Sequence, residues 1–292
     1  MNHKNLVGML AVIFLITAGQ PLPAEEGLKV FISVDMEGVC GVIHWEEVSR
    51  DGKDYGLFRR LMTLETNAAV EGALEAGAGK IVVRDSHGSA RNILPDDLHP
   101  AAELIRDWSG SPFGMMEGVD ETFDAVIFIG YHASANVPDA VLKHTMTGTI
   151  YNVTLNGMVM PEAGINGFIA GNYGVPVVMI AGDKAICDQA GRIFENVVTA
   201  PVKEGIGTAA RMMHPEKARE MIKNKTREAL SKLDTFKPWT LTAPYTMEVT
   251  FKNEERAENA SWIPGAERTG NTSVSFASSD WVEILKFFKF AR

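Results

Sequence analysis

Short apolar runs alternate with helix-patterned stretches through the first two hundred residues of the chain. Lys29–Val34, Lys80–Arg84, Phe123–Ile129 and Val175–Ile180 are apolar almost throughout and rich in Val and Ile, the pattern of strands buried on both faces. Leu57–Glu75 carries Leu, Met, Ala and Glu at helical spacing and stops at Ala76-Gly-Ala-Gly79, a glycine-rich helix end. Leu98–Trp108, Glu162–Tyr173 and Asp183–Val197 read as further helices. Alternation of this kind predicts an α/β fold, a mostly parallel sheet flanked by helices.

Beyond about Ala200 the pattern changes. Pro215–Leu233 is a charged helical stretch, Tyr245–Phe251 alternates as a strand with one wet face does, Ser273–Phe276 is another strand, and a last helix begins near Asp280. The expected organisation is an α/β domain over 25–200 and a smaller C-terminal α+β portion over 201–292.

Residues 1–24 stand apart: Lys4, the apolar run Leu6–Ala18 and Pro21-Leu-Pro-Ala24 read as a secretory signal peptide cut after Ala24. The expected localisation is therefore across the inner membrane, in the periplasm or outside the cell, with no stable membrane association once the signal is removed. The formal charge of −9 becomes −10 when Lys4 leaves, which disfavours nucleic acid and anionic surfaces as partners. A hydrophobic fraction of 46% with 22% charged residues fits a globular protein rather than a disordered one. The two cysteines, Cys40 and Cys187, are too few for a disulfide scaffold or a cysteine-ligated zinc site and are expected to be independent buried thiols.

In an open parallel sheet, ligands bind beyond the carboxyl ends of the strands. The first apolar run ends in Asp35 and Glu37, the second in Asp85-Ser-His87, and the third in Gly-Tyr-His132, while Glu162 opens a helix after an extended segment. Asp85 and Ser86 read as turn or supporting residues. Three carboxylates in one crevice would repel unless cations lay between them. Three oxygen donors with two imidazoles suit zinc, manganese or cobalt better than calcium or magnesium. Two Zn²⁺ ions, three carboxylates and a bridging hydroxide sum to zero charge, and the short side chain of Asp35 is the natural bridge. Gly38 is expected to turn the backbone away without crowding the ions.

The ordered motifs "SVDMEG", "DSHG", "GYHA", "KHTM" and "PEAGIN" resemble those of the M55 zinc peptidases, the D-aminopeptidases of the DppA type, from about Leu28 to the end of the chain. That resemblance implies two zinc ions per subunit, with Asp35 bridging, Glu37 and His87 completing one ion, and His132 and Glu162 the other. It implies that His144 is catalytic rather than a ligand. It further implies short peptides with an N-terminal D-residue such as D-Ala as substrates, and a homo-oligomer, a decamer in the best-known case. The rival readings are another dinuclear metal amidohydrolase or phosphoesterase, and a non-enzymatic periplasmic zinc-binding protein.

Overall fold

The computed structural model describes residues 27–292, so the expected signal peptide lies outside the described residues. Seven strands form the larger sheet: β1 (Leu28–Val34), β2 (Ala78–Asp85), β3 (Ala102–Ile105), β4 (Ala125–Tyr131), β7 (Val177–Asp183), β8 (Val198–Ile206) and β9 (Ala209–Met212). Their order is β3-β2-β1-β4-β7-β8-β9, parallel except for the β8–β9 pair. Winding outward from β1 in one direction and from β4 in the other leaves a topological switch point between these two central strands. A second, antiparallel sheet runs β11-β12-β10-β5-β6, built from β5 (Ile150–Leu155), β6 (Met158–Val159), β10 (Tyr245–Phe251), β11 (Glu267–Arg268) and β12 (Ser273–Ser278).

The alternation within β1 decides how the layers pack. Val30, Ile32 and Val34 face one apolar core, which they share with Met62, Ala69 and Val70 of helix α2 (Tyr55–Glu75) and with Ile222 and Ala229 of helix α5 (Pro215–Leu230). Phe31 faces the other, shared with Phe168 of helix α3 (Glu162–Asn172), Val153 of β5, Met247 of β10 and Phe287 of helix α7 (Trp281–Ala291). Both faces of the parallel sheet are thus covered, and burial of each large apolar side chain contributes roughly 1.5–3 kcal/mol. Three further α-helices are α1 (Trp45–Val48), α4 (Lys184–Ile193) and α6 (Glu254–Ser261). No helix among the described residues is long and apolar enough to cross a membrane.

Two expectations differ from what is observed. The segment 98–108 contains the edge strand β3 instead of a helix, because the backbone of Ala102–Ile105 pairs with Ile81–Arg84 and that pairing overrides the helix preference of Ala, Glu and Leu. The two sheets also do not divide near position 200. Strand β8 runs across that point inside the parallel sheet, and α5 packs on α2, whereas β5 and β6 leave the first half of the chain to join the second sheet.

Candidate metal centre and active site

The central strands carry the site at their carboxyl ends. Val34 of β1 is in register with Asp85 of β2 and Ile129 of β4. The next residues continue the pairing, Asp35 donating its amide to the Ile129 carbonyl and Ser86 to that of Val34, both at 2.8 Å. Asp35 and Glu37 therefore emerge beside the loops that hold His87 and His132, at the switch point. Gly38 is required by the neighbouring strand rather than by the ions: a Cβ there would sit 1.9 Å from the Tyr131 carbonyl oxygen, and its amide donates to Gly130 at 2.7 Å. Gly130 has φ +70°, and a Cβ on it would meet the Asp35 carbonyl oxygen at 2.1 Å. The two glycines interlock the loop with β4.

All five expected donors come together, with donor atoms grouped within 4.8 Å as Asp35, Glu37 and His87 and as Asp35, His132 and Glu162. Asp35 is common to both triads. His87 Nδ1 lies 3.2 Å from Asp35 Oδ1 and 3.0 Å from Glu37 Oε2, and its Nε2 lies 2.9 Å from the Val48 carbonyl. His132 Nε2 lies 3.4 Å from Asp35 Oδ2 and 3.3 Å from Glu162 Oε1, and its Nδ1 lies 3.0 Å from the Ala133 carbonyl. A carbonyl can only accept, so in each neutral ring the outer nitrogen carries the proton and the inner nitrogen turns a lone pair toward carboxylate oxygens. His132 Nε2 is buried without a hydrogen-bond partner. An orphaned imidazole nitrogen aimed at two carboxylates fits a divalent cation, and the mixed N/O donor set suits zinc.

The electrostatics of the metal-free site follow. Burial pushes the imidazoles of His87 and His132 down, but Glu37 and Asp35 around the first and Glu162 and Asp35 around the second outweigh it and hold both well above the usual range. Glu37 is held well below the ordinary carboxyl range by His87 despite its burial. Glu162 is lowered to about 2 against burial, chiefly by His132. Asp35 goes the other way, raised by desolvation and by the charge of Glu37. The cluster therefore binds protons where it lacks another cation.

His144 joins the same cluster. Its ring stacks on that of His132 with centroids 4.1 Å apart and meets the Trp45 indole edge-to-face at 5.3 Å. Its Nδ1 lies 3.0 Å from the Leu142 carbonyl, and its Nε2 lies 3.6 Å from Glu162 Oε1 and 3.9 Å from Glu37 Oε1. Its side chain is 14% exposed, against 1–4% for Asp35, Glu37, His132 and Glu162. Asp35, Glu37, His87, Glu162 and His144 line a cavity of about 360 Å³ whose walls also include Trp108, Met115, Met146, Thr147 and Arg292.

Buried polar groups from elsewhere hold each loop. Asp85 accepts the amides of Asn92 and Ile93 at 2.5 and 2.7 Å, closing the loop that carries His87, so it acts as the turn-holding residue its position indicated. Gln189 of α4 brackets Ser134 beyond His132, accepting its amide at 3.0 Å and donating to its hydroxyl at 2.8 Å. Glu162 Oε1 accepts the Met146 amide at 2.6 Å, tying the helix start to the His144 loop. Sequence reasoning singled out neither Asn92 nor Gln189, since no local pattern marks a polar residue whose partner lies on another element. Of the remaining histidines, His44 is an exposed cap of α1 and His214 caps α5. Cys40 and Cys187 are both buried and unpaired.

A family described as peptidase M55, D-aminopeptidase, matches residues 28–290. The D-aminopeptidase of Bacillus subtilis (strain 168) is 37% identical over 263 residues, 89% of this chain and 94% of that protein. A solved structure of the Zn-dependent D-aminopeptidase DppA from Bacillus subtilis, described as a self-compartmentalizing protease, is similar with a TM-score of 0.86 at 36% identity, covering 90% of this chain and 98% of that one. Interlocked loops at the switch point, a buried carboxylate–imidazole cluster suited to zinc and these likenesses agree: the chain belongs to the M55 D-aminopeptidase family and is a metallo-aminopeptidase.

Proposed function

We propose that the enzyme uses two zinc ions to remove an N-terminal D-residue, D-Ala in particular, from short peptides. The observation that carries this reading is the pair of donor triads sharing Asp35. Asp35 would bridge the ions, Glu37 and His87 would complete one, and His132 and Glu162 the other. When bound, the ions supply Lewis acidity, lowering the pKa of a water molecule toward neutrality and polarising the scissile carbonyl. Although its donor atom also groups within 4.8 Å with those of Glu37 and His132, His144 is assigned to proton transfer: it is the most accessible member of the cluster, and its Nδ1 contact leaves Nε2 facing the carboxylates that border the cavity. From there it donates to the departing amine. The acidic cluster favours the substrate's α-ammonium group. Arg292, the one lysine or arginine among the cavity's lining residues, suits the terminal carboxylate of a di- or tripeptide.

Zinc analysis of the purified chain, coupled to a panel of D-Ala-Gly, L-Ala-Gly and phosphate esters, tests this reading. Two ions per chain with selective turnover of the D-peptide are expected. Equal turnover of the L-peptide overturns the stereochemical part, ester hydrolysis without peptidase activity overturns the reaction, and a single ion overturns the bridge. The composition of residues 1–24 supports work on D-Ala-containing fragments outside the cytoplasm, with a mature chain beginning near Glu25; recovery of intact Met1 from a cytosolic fraction would remove it. The self-compartmentalizing description of the solved relative supports a closed homo-oligomer, a decamer being the specific expectation for light scattering.

A further inference from the structure

One buried cation lies beneath the site without touching the cavity. Lys203 of β8 is 3% exposed, and its Nζ donates to three backbone carbonyls of a single loop: Glu37 at 2.5 Å, Val39 at 2.9 Å and Val42 at 2.5 Å. The same loop is held from another side by Glu65 of α2, 2% exposed, whose Oε1 accepts the Cys40 amide at 2.8 Å. Three donors meeting three carbonyls use the full capacity of an ammonium group. Among the described residues no carboxylate is paired directly with it; the nearby charges of Asp183 and Glu65 favour its ammonium form, and its donors are satisfied by backbone dipoles that this loop conformation presents together.

We propose that Lys203 and Glu65 are positioning residues that fold the Glu37–Val42 loop into its ligating shape before any metal arrives. This rests on the two-zinc reading above. The loop is packed through Val39, Cys40 and Val42, all fully buried, and locked to β4 through Gly38, yet it must also hold Glu37 against His87 to within about 0.5 Å. A lysine that grips the Glu37 carbonyl fixes the very peptide unit from which that carboxylate projects. Holding it in advance removes the ordering cost from the binding step, which appears as metal affinity.

Two measurements test it. In zinc titrations of the metal-free protein well below its melting temperature, Lys203→Met is expected to weaken one of the two ions by at least tenfold, with native far-UV circular dichroism and the ion held by His132 and Glu162 unaffected. Turnover then falls at limiting zinc and recovers in excess zinc, a split that general destabilisation does not produce. Glu65→Leu is expected to act likewise, while Glu65→Gln, which keeps an acceptor for the Cys40 amide, stays near wild type. Affinity within twofold of wild type in folded Lys203→Met overturns the proposal. Hydrogen exchange on wild-type protein stripped of metal decides the matter even where a variant does not fold. The Cys40 and Val42 amides are expected to stay protected, and exchange at the rate of open backbone overturns the idea. A wild type that binds no zinc at all would instead overturn the metal reading, which keeps the two failures distinct.

Discussion

At the scale of single residues, the orientation of the imidazoles governs the behaviour of the site. Zinc must displace the protons that Glu37, Asp35 and Glu162 hold on His87 and His132, so its apparent affinity rises with pH through neutrality. Calorimetric titration at about pH 7 in buffers of different ionisation enthalpy is expected to show at least one proton released per chain on zinc binding; none would contradict the raised values. Stability follows the same sign. With folded values above the unfolded one, the stabilisation these histidines give the metal-free chain is complete below the unfolded imidazole pKa and disappears as pH rises through the folded values. The gap in melting temperature between zinc-loaded and metal-free protein is therefore expected to widen from about pH 6 to 8. His144→Ala is expected to keep its metal and lose about 10²–10⁴-fold in kcat, whereas Asp35→Asn, which weakens the donor common to both triads, is expected to lose metal together with activity; metal analysis beside steady-state kinetics separates them. Arg292→Ala is expected to raise KM for a dipeptide with a free carboxylate and to leave KM for the corresponding amide unchanged.

Elements explain which parts of this were legible beforehand. Asp35, Glu37, His87 and His132 follow apolar runs, and strand ends are where a parallel sheet presents its chemistry, so residue type and position together revealed them. Lys203 and Glu65 were not legible: one lies inside a strand and the other inside a helix, each reading locally as an ordinary charged residue. Strand β3 was hidden because edge pairing, a long-range contact, outweighs the helix preference of its residues. The hairpin between β5 and β6 left a signal that went unused. Asn156 and Gly157 have φ +49° and +80°, the paired left-handed conformation that an Asn-Gly turn favours. At the same scale, Gly38→Ala is expected to cost at least about 1–3 kcal/mol in denaturant unfolding through overpacking, since the displaced atom is a backbone carbonyl that cannot rotate aside. It should weaken zinc binding in parallel.

Across the whole molecule, the donors come from positions 35 to 162 and from both sides of the switch point, so metal binding reports on the complete fold. Chelation of the purified protein is expected to lower its melting temperature and stepwise return of zinc to raise it, as the stabilising free energy grows with the logarithm of free zinc to about 2.7 kcal/mol at a hundredfold excess over Kd. A melting temperature indifferent to chelator would show that no ion is held by these side chains. Three buried carboxylates meet at this one point, which is why removing the cations should be felt globally rather than locally.

Strand β5 lies in the chain between His144 and Glu162, and its long partner, β10, is made of residues 245–251. The segment bearing His144 and Glu162 is thus braced by residues far downstream in the chain. A chain translated only as far as α3 holds every candidate donor and still lacks the strand on which β5 rests.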